Sequence, residues 1–194
     1  MRRLRTTMLS AVVLTLLVSM AQATTAQDAD PSPPAGDGEA LPPYAGITGH
    51  FVPGGQVGSF DTIQNPEPPK ELWRGWAWSG RIVTNDPRTT CDAVINQNAD
   101  HFEPGWSGGA VRTGIARCEN DGGSWTVESV GFTKPGVSIT GGNYYAQVWT
   151  GHDGYEGLSA VLIWIPSAGH AWAIEGVIAP GPLPEPPTSL GPAE

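Results

Sequence analysis

Between residues 105 and 164, short runs of strand-forming residues alternate with turn residues at nearly regular spacing. This alternation is typical of an antiparallel β-meander. The clearest turn lies at residues 119–123, where Asp121-Gly122 separates two β-rich runs. A tight hairpin turn needs positive φ angles, which Gly, Asn and Asp adopt at the least steric cost. The pattern therefore predicts an all-β fold and contains no convincing amphipathic helix.

The same reasoning places strands along the whole central part of the chain. We expect about eight strands, at residues 44–52, 73–84, 89–96, 110–118, 124–132, 144–150, 158–165 and 171–178. Eight antiparallel strands suffice to close a barrel whose interior is filled by side chains or holds one small ligand. We therefore predict an eight-stranded antiparallel barrel, with a β-sandwich as the alternative. Residues 53–71 are expected to form a loop across one mouth, with Val57, Phe60 and Ile63 as candidates to pack inward.

The N-terminus has the three regions of an export signal. Arg2, Arg3 and Arg5 precede an apolar run at residues 8–20, and Ala21-Gln22-Ala23 fits the small-x-small cleavage rule. A membrane anchor, the alternative, requires about 18 or more apolar residues, and this run is shorter. We therefore predict a signal peptide at residues 1–23 and a secreted, extracellular protein.

Two segments flank the predicted barrel domain at residues 44–180. Residues 24–43 are rich in Pro, Ala and Asp, and residues 181–194 are rich in Pro. Such composition buries too little apolar surface to offset the entropy of ordering. We expect a disordered linker and a disordered tail.

The charge of the mature chain limits its partners. Removal of the signal leaves seven Lys and Arg against 19 Asp and Glu, a net charge of −12. Phosphate and anionic lipid surfaces require clustered cations. We therefore expect neither a nucleic-acid partner nor a membrane partner after signal cleavage.

The two cysteines, Cys91 and Cys118, lie in predicted neighbouring strands. In an oxidising compartment, a disulfide between them is the natural interpretation. A catalytic thiol is the alternative, but the chain has no Cys-x-x-Cys spacing and no evident histidine partner.

The strand that begins at Trp73 carries a regular alternation. Trp76, Trp78 and Ile82 share one face, because successive side chains point to opposite faces of a strand. The chain contains eight tryptophans, and such rings commonly fill barrel interiors. The functional alternatives are an apolar ligand cavity or a sugar-stacking surface, which needs exposed, coplanar rings. The rings concerned in a sugar site are Trp73, Trp76, Trp78 and Trp106.

Charged residues within predicted strands are the candidates for acid–base chemistry. They are Arg81, Asp92, Arg112, Arg117, Glu128 and Glu175. Glu128 and Glu175 alternate with bulkier neighbours, so we expect both to face solvent. A carboxylate inside the barrel would instead have a raised pKa suited to catalysis. No catalytic residue can be assigned.

Metal binding is not expected. His50, His101, His152 and His170 are scattered along the chain, without the spacing of a zinc site. Asp100, His101 and Glu103 form a compact cluster, which we expect to be a solvated loop with too few ligands for a metal. We predict no metal and no cofactor.

Three turns resemble those of a known superfamily. Residues 149–158, WTGHDGYEGL, resemble the Gly-rich turn of the allene oxide cyclase barrel superfamily, which includes dirigent-like and uncharacterised secreted bacterial β-barrel proteins. Residues 85–88, NDPR, and 119–125, ENDGGSW, are similar to turns of the bacterial members. The resemblance covers about residues 73–180 and implies an eight-stranded barrel able to hold a small apolar or aromatic molecule. It carries over no catalytic residue, because a shared fold does not establish a shared function.

The strand count, the tryptophan content and the missing catalytic constellation favour the first of three functions, and the other two are alternatives. The first is a non-catalytic barrel that binds a small apolar or aromatic ligand or serves as an extracellular structural module. The second is a cofactor-free isomerase or cyclase, which needs a polar group such as Arg81 or Glu128 in a closed cavity. The third is a module that binds polysaccharide through surface tryptophans. The ligand-binding candidates are Trp76, Trp78, Arg81, Glu128, Tyr144 and Trp149.

Overall fold

The computed structural model describes residues 41–105, 108–136, 142–169 and 171–185. These residues belong to one compact unit, Ala35–Glu194. The predicted signal, the predicted linker up to residue 40, residues 186–194 of the predicted tail, and Trp106 lie outside the described ranges. Within those ranges, no helix has the length and apolar character needed to span a membrane.

The described chain is all-β. Its strands are β1 (Ala45–Gln56), β2 (Asp61–Gln64), β3 (Glu71–Thr84), β4 (Cys91–His101), β5 (Ala110–Asn120), β6 (Gly123–Thr133), β7 (Asn143–His152), β8 (Leu158–Pro166) and β9 (Trp172–Pro180). Strands β3 to β9 pair in sequence order, and β1 pairs antiparallel with both β9 and β3. This double pairing of β1 closes an eight-stranded antiparallel barrel, as predicted. Strand β2 is an additional strand on β3.

Because successive side chains of a strand point to opposite faces, they alternate between the lumen and the outer wall of the barrel. Along β4, buried and exposed residues alternate from Cys91 almost to the end of the strand, as the two-residue period of a strand requires. Glu128 and Glu175 are exposed on the outer wall, as expected. Where a large ring must cross the lumen, the facing position is glycine: a Cβ at Gly80 would overlap the ring of Phe51.

A β-bulge in β3 changes which side chains at the start of the strand point into the barrel. The pairing with β4 skips between Trp73 and Trp76, and Gly75 has a φ of 71°. Because of the extra residue, Trp73 and Trp76 both face inward although strict alternation would separate them. Trp78 and Ile82 are buried on the same face, as predicted.

Aromatic side chains fill the middle of the lumen. Phe51, Trp125, Trp149 and Trp164 are each at most 1% exposed. Phe51 lies 4.9 Å from Trp78 and 5.0 Å from Trp164 between ring centres. The central lumen is therefore packed, and a ligand site inside the barrel has to lie nearer one of its two ends.

One end, the disulfide end, is closed by covalent and ionic contacts. Cys91 and Cys118 form the predicted disulfide between β4 and β5, with Cα atoms 5.5 Å apart. In the turn after β3, Arg88 and Asp86 form a buried bidentate ion pair with N–O distances of 2.9 and 2.6 Å. Trp125 donates its indole N–H to the carbonyl of Arg88 at 2.7 Å.

Two loop predictions require correction. Strand β4 continues through His101, because its pairing with β5 persists to His101 and Ala110. His101 is therefore buried in the barrel, not solvated in a loop. Residues 53–71 contain the end of β1 and all of β2, so they are not a plain loop. Of the three inward candidates there, Phe60 is half-buried, whereas Val57 and Ile63 are exposed.

Candidate functional site

Buried polar side chains collect at the barrel end opposite the disulfide. We call this the arginine end and define it by Glu71, His101, Arg112, Thr133 and Asn143. These residues are between 0% and 9% exposed. They come from five strands and meet because Glu71 pairs with His101 and Thr133 pairs with Asn143 in the barrel register.

Arg112 is the buried cation of this group, at 1% exposed. Its Nε donates to Thr133 Oγ1 at 2.9 Å, and Thr133 Oγ1 donates to Asn143 Oδ1 at 2.6 Å. The guanidinium carbon lies 5.8 Å from the centre of the Trp76 ring, within the range of a cation–π contact. Burial lowers the pKa of Arg112, and the nearby Tyr145 partly opposes that shift. The guanidinium is thus buried and held in a fixed orientation by Thr133 and the Trp76 ring.

Glu71 and His101 form the second part of the arginine end. Glu71 accepts hydrogen bonds from Gln64 Nε2 at 2.8 Å and from Trp73 Nε1 at 2.5 Å. The hydrogen bond from Gln64 is the main reason why the pKa of Glu71 is lowered. The His101 ring lies 4.5 Å from the Trp73 ring, and burial is the main reason why its pKa is lowered. At neutral pH the pair is therefore a carboxylate beside a neutral imidazole.

An array of aromatic rings leads from the surface to this end. Half-buried Phe60 lies 5.1 Å from Trp73 and 6.4 Å from Trp76, and Trp73 lies 5.8 Å from Trp76. Trp76 in turn stacks on Trp78 at 5.9 Å, and Trp78 contacts Trp172 at 5.6 Å. Phe60 and Trp76 are partly exposed, so the array begins at solvent and ends in the packed lumen.

The six predicted ligand-binding residues do not form one site. Trp76 and Trp78 belong to the aromatic array, whereas Trp149 is buried nearer the disulfide end, 5.8 Å from Trp125. The other three candidates lie on the outer wall. They are Arg81, paired with Asp92 at 3.1 Å, exposed Glu128, and Tyr144, stacked on Phe132 at 4.9 Å.

The positions of these side chains remove support that two of the predicted functions required. The isomerase hypothesis named Arg81 and Glu128 as inward polar groups, and both lie outside. The polysaccharide hypothesis required two exposed, coplanar tryptophans, yet Trp73 and Trp78 are 7% and 6% exposed. Trp106, the remaining ring besides Trp76, lies outside the described residues.

Sequence reasoning missed the arginine end, although a signal for part of it exists. A disulfide between neighbouring strands places both cysteines on the same face of the sheet, and their burial shows that this face is the lumen. Side chains an even number of positions away on the same strand then face the lumen as well. Arg112 is six positions before Cys118, and His101 is ten positions after Cys91. Arg112 could therefore have been assigned to the face of the cysteines from the sequence, whereas His101 lies beyond the strand predicted at residues 89–96.

A concavity lies on the outer wall, across β4, β5 and β6. It has a volume of about 790 Å³ and includes the exposed side chains of Val94 and Ile115. Two pairs of its polar side chains bond to each other, Thr126 with His152 at 2.8 Å and Ser124 with Asp153 at 2.9 Å. Among the described residues, no group of three or more His, Cys, Asp or Glu side chains could hold a metal ion.

No family model, no curated protein and no solved structure matches the chain. The functional assignment therefore depends on the geometry. The arginine end combines a fixed guanidinium, a carboxylate, a neutral imidazole and an aromatic approach. Such a site can stack an aromatic ring and bind a polar group at its inner end.

Proposed function

We propose that this chain is an exported β-barrel protein that binds a small aromatic or apolar molecule at the arginine end and performs no chemistry on it. The single observation that supports this function most strongly is the aromatic array from Phe60 through Trp73 and Trp76. Ligand pockets are typically apolar and aromatic, with a few placed polar groups. The proposal also uses the predicted signal peptide and the disulfide, which suit an oxidising compartment.

In this proposal the ligand ring contacts Trp73 and Trp76 at the partly exposed start of the array. Phe60 covers both rings from the segment between β1 and β2. An aromatic ligand that replaces the Phe60 ring keeps the stacking contacts, so its entry costs little apolar burial. The packed lumen beyond Trp78 limits the ligand to a small molecule.

The test is native mass spectrometry of the secreted protein after gentle purification from its own medium. We expect a reproducible extra mass that disappears on denaturation. Trp76→Ala should abolish this mass, because it removes the exposed ring of the site. Phe132→Ala is the matched control, since Phe132 is a half-buried ring on the outer wall, and it should leave the mass unchanged. A bare protein that also fails to bind any aromatic probe at millimolar concentration would contradict the proposal.

A cofactor-free isomerase or cyclase is the second candidate. The observation that favours it is the presence of Glu71, His101 and Arg112 together at one barrel end, where burial lowers the pKa of His101 and of Arg112 and the hydrogen bond from Gln64 lowers the pKa of Glu71. Shifted pKa values of this kind are common at catalytic sites. An experiment with the molecule released from the protein distinguishes the two candidates. After prolonged incubation with an excess of that molecule, a binding protein leaves the molecule unchanged, whereas an enzyme converts it.

A further inference from the structure

Three buried N–H donors near the arginine end lack a hydrogen-bond partner among the described residues. They are Asn143 Nδ2, Trp78 Nε1 and Trp164 Nε1. No buried side-chain oxygen in the described part of the chain is in the same condition. An unsatisfied buried donor is costly, and native proteins seldom retain one without a reason. Among the buried side chains of the described residues, unsatisfied hydrogen-bond donors are therefore in excess over unsatisfied acceptors.

The three donors belong to one neighbourhood centred on Trp172. The Trp172 indole N–H donates to the backbone carbonyl of Asn143 at 3.0 Å. The Trp172 ring lies 5.6 Å from Trp78 and 6.1 Å from Trp164. Asn143 is connected through Thr133 to Arg112. The excess donors and the buried cation thus occupy the same end of the barrel.

The acidic group of this end is already used within the protein. The Glu71 carboxylate accepts hydrogen bonds from both Gln64 and Trp73. A cationic ligand would compete with those bonds, whereas an acceptor-bearing ligand would meet donors. Charge-assisted hydrogen bonds from donors of this kind to a carboxylate are about twice as strong as neutral ones.

We propose that the ligand of the arginine end carries a carboxylate, which accepts a hydrogen bond from Asn143 Nδ2 and is attracted by the Arg112 guanidinium. The inference rests on the proposed function, since it specifies the ligand class for the same site. The ligand is then a small aromatic carboxylate, with its ring on the aromatic array and its anionic group toward Arg112.

The test compares matched pairs of probes by calorimetric titration of the secreted protein. The pairs are benzoate with benzyl alcohol, and 2-naphthoate with 2-naphthylmethanol. Within each pair the ring is the same and the carboxylate is replaced by a neutral hydroxyl. We expect the carboxylate to bind at least about tenfold more tightly, the size of one good hydrogen bond to a charged group.

A charge substitution tests the role of Arg112. Arg112→Met keeps the apolar stem and removes the charge, so it should eliminate the preference for the carboxylate. Arg112→Lys should retain part of that preference. Arg81→Met is the control, because Arg81 lies on the outer wall with 56% of its side chain exposed, and it should leave the preference unchanged.

A measurement on the unmodified protein covers the case in which Arg112→Met fails to fold. In a nitrogen-15 correlation spectrum, the Arg112 Nε–H signal should shift on addition of 2-naphthoate and stay in place with 2-naphthylmethanol. Equal affinity for both members of each pair would overturn the carboxylate inference and leave the proposed function intact. Binding of neither member would overturn the proposed function itself.

Discussion

Charged side chains are buried in this barrel in two different ways. Asp86 and Arg88 neutralise each other in a bidentate pair whose side chains are 7% and 9% exposed. Arg112 is buried at the opposite end, with its Nε on Thr133 and its guanidinium over Trp76. The first arrangement is a closed structural contact, and the second is a binding group in our proposal.

The Asp86–Arg88 pair gives the first prediction. Asp86→Asn leaves the Arg88 charge buried without its counter-charge, and the loss of one partner of such a pair costs about 3 to 5 kcal/mol. Asp92→Asn is the matched control, because the Arg81–Asp92 pair is 56% and 75% exposed and exposed pairs contribute about 0 to 1 kcal/mol. Urea denaturation measures both variants. Equal losses would show that burial of the Asp86 pair has no energetic consequence.

His101 gives a prediction about pH. Burial lowers its pKa below 6.5 in the folded chain, so as the pH falls the unfolded chain takes up the proton first. The stability that the neutral ring contributes is therefore complete above about pH 6.5 and is lost progressively below it. The groups facing the ring include Arg112, which opposes protonation, and Glu71 and Asp100, which favour it.

The measurement is the urea midpoint between about pH 7.5 and pH 5. A single group changes the free energy of unfolding by at most about 1.4 kcal/mol per pH unit. His101→Gln should flatten this slope whatever its effect on absolute stability. His152→Gln, at an exposed outer-wall position, is the control. Because the pKa of Glu71 is lowered from 4.5, protonation of Glu71 changes the free energy of unfolding only below about pH 4.5, which is outside this range. An unchanged slope in His101→Gln would exclude His101 as its source.

At the level of strands and turns, the bulge in β3 determines which aromatic rings reach the site. A Cβ added at Gly75 would meet open space, and the φ angle there is 71°. The left-handed backbone conformation is therefore the only feature that disfavours a residue with a side chain. Gly75→Ala should cost about 1 to 2 kcal/mol, the penalty of a left-handed backbone for a residue with a side chain.

Gly46 is a matched control for the bulge. A Cβ there also meets open space, and its φ is not in the left-handed region. Gly46→Ala in β1 should therefore be close to neutral. If both variants have the same thermal midpoint, the bulge does not depend on the glycine.

The disulfide between β4 and β5 gives a further prediction. The cysteines are 27 positions apart, and closing a loop of that length stabilises the fold by about 3.5 kcal/mol through the entropy of the unfolded chain. Cys91→Ser should lower the melting temperature by about 10 °C. Reduction of the wild-type chain should have a similar effect, and no change on either treatment would contradict a stabilising disulfide.

Most of the strands were predictable, because local patterns specify them. Asp121-Gly122 indicates the β5–β6 hairpin, and the strand alternation places Glu128 outside. The bulge at Gly75 was not predictable, since Gly within a strand has several meanings. It was therefore not possible to predict that Trp73 faces inward beside Trp76.

For the whole molecule, the site exists only once strands β3 to β7 have paired in register. Glu71, His101, Arg112, Thr133 and Asn143 are far apart in sequence, and the register of four successive strand pairs brings them together. A single sequence contains no direct signal for such a register. The position of Arg112 relative to Cys118 is the exception, because an even separation along β5 places Arg112 on the same face as the disulfide.

The central claim is that ligand binding occurs on the aromatic array at the arginine end. The most direct measurement follows the tryptophan indole N–H signals in a nitrogen-15 correlation spectrum during titration with 2-naphthoate. We expect the Trp73 and Trp76 signals to shift in a saturable manner, while Trp125, bonded to Arg88 at the disulfide end, stays in place. The same spectrum records the backbone N–H signals of Ile115 and Thr126, which line the concavity on the outer wall. Shifts of those signals without shifts of Trp73 and Trp76, or no shift at millimolar probe, would contradict the claim.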